Sequence, residues 1–93
     1  MARDRERSPE WLAIHERVRR AFKAHREARG WSQRDMADFL QISKKSYESY
    51  EGRPERGIPT DVIARFCKYT DADANYLLYG VPTGPGRPGV LKV

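Results

Sequence analysis

The stretch Ser32-Gln33-Arg34-Asp35-Met36-Ala37-Asp38-Phe39-Leu40-Gln41-Ile42-Ser43-Lys44-Lys45-Ser46-Tyr47-Glu48-Ser49-Tyr50-Glu51 decides how this chain is read. Ser32 can cap a helix, and Asp35 stands where the reciprocal partner of a capping box belongs, with Asp replacing the usual Glu or Gln. Met36, Ala37, Phe39 and Leu40 give that helix an apolar face. Ser43 can cap a second helix, whose inward positions are Tyr47 and Tyr50. Only Gln41 and Ile42 separate the two segments, so the connection is a tight turn. The second helix opens on polar and basic side chains, Ser43, Lys44 and Lys45, a shape and charge suited to the major groove of duplex DNA.

Outward from this stretch, the flanking residues also read as helices. Ser8-Pro9-Glu10 is a helix start: a cap, a proline at the first helical position and an acid at the positive end of the dipole. Trp11, Ile14, Val18, Phe22 and His25 then recur at three- and four-residue steps, one stripe of a helix that Gly30 stops. Residues 52–59, with Pro54, Gly57 and Pro59, read as a loop. Thr60 or Asp61 starts a fourth helix with Val62, Ile63, Phe66 and Cys67 inside. Asp71 or Asp73 caps a fifth, with Tyr76, Leu77 and Leu78, ending at Gly80. The expectation is an all-α fold, a compact five-helix domain over 9–80. A flexible charged arm (1–8) precedes it and a flexible Pro/Gly-rich tail (81–93) follows. No strand signal or internal repeat stands out.

At 93 residues, one domain is the natural count. The net charge of +5 favours a polyanionic partner without naming it. The single cysteine, Cys67, excludes an intrachain disulfide framework, and a cytoplasmic chain is expected. No run of about 18 apolar residues exists to span a membrane, and the charged N-terminus does not read as a signal peptide. Catalysis finds no support. His15 and His25 share a helix face without a carboxylate or thiol arrangement, and Cys67 falls in an apolar pattern. No zinc spacing and no Gly-rich phosphate loop is present, so neither metal, cofactor nor small-molecule substrate is expected.

Taken in order, these residues resemble the phage-repressor and Cro-type helix-turn-helix family, the XRE-like regulators, over about residues 16–80. The family pattern runs from Arg26 through Gly30, Ser32-Gln33, Met36-Ala37 and Ile42-Ser43 to Tyr47, Tyr50 and Glu51. It closes on Tyr76-Leu77-Leu78-Tyr79-Gly80. Ala37 supplies the small residue needed where two helices cross steeply, and Met36, Leu40, Ile42, Tyr47 and Tyr50 close the wedge between them. Two positions depart from the pattern. Gln41 stands where the family usually has a turn glycine, and His25 where it usually has an apolar residue; a partly buried structural His25 is expected.

The resemblance implies a sequence-specific DNA-binding transcriptional regulator, by default a repressor, that binds a palindromic operator as a homodimer and associates with the nucleoid. It implies a partly buried Arg26–Glu51 ion pair. Base edges would be met by Ser43, Lys44, Lys45 and Ser49, with Glu48 nearby. The lysines can donate to guanine O6 and N7 or go to phosphate instead, and Glu48 can accept from cytosine N4. Gln33 resembles the family glutamine that holds a phosphate and braces the recognition helix. The amides at Ser32 favour an anion, and Arg53 and Arg56 are further phosphate candidates. The candidate dimer surface is Tyr76, Leu78, Tyr79 and Val81, to which Val90-Leu91-Lys92-Val93 can add. The rival reading is an antitoxin-like or adaptor protein whose main partner is another protein; the polar start of the third helix argues against it. Single-stranded RNA binding lacks an exposed aromatic platform.

Overall fold

Ser8 accepts a hydrogen bond from the Trp11 amide at 3.0 Å, and the first helix, α1 (Pro9–Ala28), starts there. In the computed structural model, which describes residues 7–81, it is followed by α2 (Gln33–Leu40), α3 (Lys44–Gly52), α4 (Thr60–Thr70) and α5 (Ala74–Tyr79), with no strand among the described residues. Residues 1–6 of the expected arm and 82–93 of the expected tail lie outside the described residues.

The helix ends are set by local chemistry. Gly30, at φ 68°, ends α1 in a Schellman-type turn: its amide donates to Glu27 O (3.1 Å) and the Trp31 amide to Arg26 O (3.0 Å). Ser32 and Asp35 form the full capping box of α2, at 2.9 and 3.1 Å, so the aspartate does the work of the usual Glu. Asp73, not Asp71, caps α5, accepting from the Asn75 and Tyr76 amides. Asp71 instead takes the left-handed position that ends α4, at φ 60°. Thr60 opens α4 behind Pro59, without a side-chain cap.

The core gathers Val18 and Phe22 of α1, Met36, Ala37 and Leu40 of α2, Tyr47 and Tyr50 of α3, Val62 and Phe66 of α4 and Leu77 of α5. Each helix thus buries a face at helical spacing, which joins the tight pair α2–α3 to the rest. Three details correct the sequence reading. Ile58, in the loop, is buried at 4 % exposure and plugs the core between α3 and α4. His15 is buried on α1, stacked on Trp11 at 4.0 Å between centroids, with Nδ1 3.0 Å from the Trp11 carbonyl; its place on the inner stripe had passed for a polar face. Ile63 and Cys67 are only half-buried.

His25 is half-buried among rings: Phe39 at 5.3 Å, Trp31 at 5.6 Å and Phe66 at 5.6 Å. Arg29 can only donate, so its guanidinium 3.4 Å from Nδ1 leaves the neutral ring's proton on Nε2. That nitrogen is buried without a hydrogen-bond partner. Burial, and secondarily the Arg29 charge, lowers the His25 pKa.

Candidate nucleic-acid interface

The turn between α2 and α3 takes the left-handed conformation at Gln41 (φ 62°, ψ 43°). The Gln41 amide donates to Asp38 O and the Ile42 amide to Ala37 O, at 3.1 and 3.0 Å. A side chain in this conformation costs on the order of 1 kcal/mol relative to glycine. Two residues of α4 brace the turn. Arg65 Nη1 donates to the Leu40 carbonyl at 2.8 Å, satisfying an orphan group at the end of α2. Gln41 Nε2 donates to the Tyr69 hydroxyl at 3.0 Å, an interaction open only to a residue with a side chain. Neither Arg65 nor Tyr69 was singled out from sequence, because nothing local marks them.

The orientation of α3 is held by Glu51. Arg26 of α1 reaches it with Nε at 2.7 Å and Nη2 at 3.1 Å, Gln33 of α2 with Nε2 at 3.0 Å, and the Tyr47 hydroxyl donates to the same carboxylate. The third Arg26 nitrogen donates to Trp31 O at 3.1 Å, tying in the segment just before α2. The Glu51 side chain is 8 % exposed and that of Arg26 16 %. Burial pushes the Glu51 carboxyl up, but hydrogen bonds from Arg26, Tyr47 and Gln33 outweigh it and hold the carboxyl below its usual range. The Glu51 hydrogen bond raises Arg26 further, and burial, then Glu51, raises Tyr47. The network is charge-satisfied and links three helices at the base of α3.

With Tyr47 and Tyr50 turned inward, α3 presents Lys44, Lys45, Glu48, Ser49 and Gly52 outward. Lys45, Glu48, Ser49, Gly52 and Arg53 line one surface hollow of about 290 Å3, which brings loop residue Arg53 beside the helix face. Lys44 pairs with Glu48 one turn on. The Ser43 hydroxyl accepts from the Ser46 amide and donates to Ser46 Oγ, both at 3.0 Å, so its only proton is used in the cap. Ser32 is exposed but occupied by its capping box, and the Gln33 amide nitrogen faces Glu51 rather than solvent. Arg56 is exposed in the loop.

At the other end of the chain, Arg17 of α1 holds α5. Its Nε donates to Leu77 O at 2.9 Å and its Nη2 to Leu78 O at 3.2 Å, so the cation sits at the negative end of the helix. Of the α5 side chains only Leu77 is buried; Tyr76, Leu78 and Tyr79, with Val81 beyond, are exposed at 45, 40, 71 and 47 %.

A short helix, a turn with one left-handed residue, and a second helix presenting basic and polar side chains define a helix-turn-helix protein. The family model described as a helix-turn-helix domain matches residues 17–76, and the chain belongs to that family, a DNA-binding one related to the XRE-like regulators. Neither a curated protein nor a solved structure matches it. No group of three or more His, Cys, Asp or Glu suited to a metal occurs among the described residues, and no helix there is long and apolar enough to cross a membrane.

Proposed function

We propose that this chain is a transcriptional regulator of the phage-repressor and Cro type, by default a repressor, that reads duplex DNA through α3 as a homodimer on a palindromic operator. It acts in the cytoplasm on nucleoid DNA, with residues 9–80 as the binding unit and 1–8 and 81–93 as its arm and tail. The observation that carries this is the outward face of α3: Lys45, Glu48 and Ser49 around one hollow, beside Arg53 and one turn from Lys44.

Lys45 and Ser49 are the free readers of base edges. Glu48 takes cytosine N4 only by giving up Lys44, which then turns to phosphate or guanine. Ser43 contributes to base contact only as an acceptor. At the start of α2 the phosphate is held by the backbone amides of Gln33 and Arg34 rather than by the Gln33 side chain, which is the brace. Ser32 sets the cap that presents those amides, and Arg53 and Arg56 flank the phosphate track. The exposed face of Tyr76, Leu78, Tyr79 and Val81 pairs the two copies.

A fluorescence-anisotropy titration across salt tests the electrostatic part. With about six phosphates neutralised per dimer, log affinity falls against log salt with a slope near −5. A slope near zero contradicts it.

A further inference from the structure

Ile14 of α1, Ile58 of the loop, Ile63 and Cys67 of α4, and Leu77 and Leu78 of α5 line an apolar hollow of about 610 Å3, to which α2 and α3 contribute nothing. Its size is that of a ligand cleft, yet its walls offer almost no polar group to orient a small molecule. An apolar depression of this kind calls for an apolar cover.

We propose that the cover is the segment Val90-Leu91-Lys92-Val93 of the same chain. The last described residue, Val81, follows Leu77 and Leu78 by four and three positions, so the chain leaves α5 within about one helical turn of the hollow's wall. The next eight residues, Pro-Thr-Gly-Pro-Gly-Arg-Pro-Gly at 82–89, hold no large apolar side chain. The four that follow hold three. Eight residues reach up to about 26–28 Å, enough to return from the end of α5 to any point of a cleft that begins beside it. Laid extended, the segment puts Leu91 and Val93 on one face and Lys92 on the other, apolar side in and charge out. A tether this short gives an effective concentration on the order of millimolar. The chain's own segment therefore outcompetes that of a second copy at micromolar protein. Leu78 belongs both to this hollow and to the proposed dimer face, so a seated segment withdraws part of that face from a partner. The docking itself does not depend on the DNA-binding reading.

Cys67, the chain's one cysteine, lines the hollow and reports on its cover. The rate of Cys67 alkylation by iodoacetamide is measured at fixed pH on the full chain and on Leu91→Asp, with thermal melts to match their folding. Seating in the same chain predicts alkylation several-fold faster in Leu91→Asp, and a wild-type rate that does not change with protein concentration. Equal rates in the two proteins overturn the proposal. A wild-type rate that falls as concentration rises also overturns it, assigning the cover to a second copy.

Discussion

Glu51 collects hydrogen bonds from side chains of three helices, so the cost of disturbing it exceeds that of an ordinary surface ion pair. Arg26→Ala leaves its carboxylate buried with the charge uncompensated, and urea denaturation is expected to show a loss of roughly 3–5 kcal/mol. Replacing both partners, Arg26→Met with Glu51→Leu, costs less than Arg26→Ala alone, because no unpaired charge remains. A double variant less stable than the single one contradicts this account of the pair. His25 gives the fold a second, opposite sensitivity. Its folded pKa is lowered, so near neutral pH both folded and unfolded chains carry it neutral and its packing is intact. As the pH falls below the unfolded value of about 6.5, the unfolded chain takes up a proton that the folded chain resists, and stability declines. His25→Phe is expected to flatten that part of a stability-versus-pH curve; an unchanged decline in the variant assigns it elsewhere. The Glu51 contribution runs out only further into acid. It is present above the ordinary carboxylate pKa and lost as the pH falls through the lowered folded value.

At the scale of elements, α2, its turn and α3 were legible because their determinants are local. Ser32 with Asp35, Ser43 with Ser46, and the inward pair Tyr47 and Tyr50 all act within one turn of helix. Gln41 sits in the left-handed turn where the family pattern puts glycine, and the reason it is tolerated lies 28 positions away in Tyr69. What was not legible shares that character. Arg65 closes the end of α2 across 25 positions and Arg17 the end of α5 across 60, and an arginine on a helix surface carries no local sign of which carbonyl it will meet. Ile58 was hidden by its company, since Gly57 and Pro59 mark a loop but not that the residue between them is core. Among candidate readers, side-chain direction rather than identity separates roles: Gln33 faces inward and Lys45 outward. Lys45→Ala is therefore expected to weaken binding to a cognate site more than to unrelated duplex. Arg53→Ala weakens both alike and reduces the salt slope by about 1. Gel shifts on paired cognate and scrambled duplexes separate the two; equal losses for Lys45→Ala on both would make Lys45 a phosphate contact.

For the whole molecule, a net charge of +5 on 93 residues draws the protein to DNA without selecting a sequence, so specificity rests on one short helix. A single α3 reads only a few base pairs, and doubling it through a two-fold axis is how a domain this small gains a usable site. The exposed Tyr76, Leu78, Tyr79 and Val81 form the face proposed for that pairing, and the Arg17 clasp on α5 keeps it in place. The same geometry sets the expected spacing, since two copies on one side of a duplex must place their reading helices about one helical turn, or 10 base pairs, apart. Selection of bound sequences from a random double-stranded DNA library tests this most directly. The account predicts enrichment of one motif, an inverted repeat whose half-sites are centred about 10 base pairs apart. Recovery of DNA with no motif enriched over the starting library would contradict it.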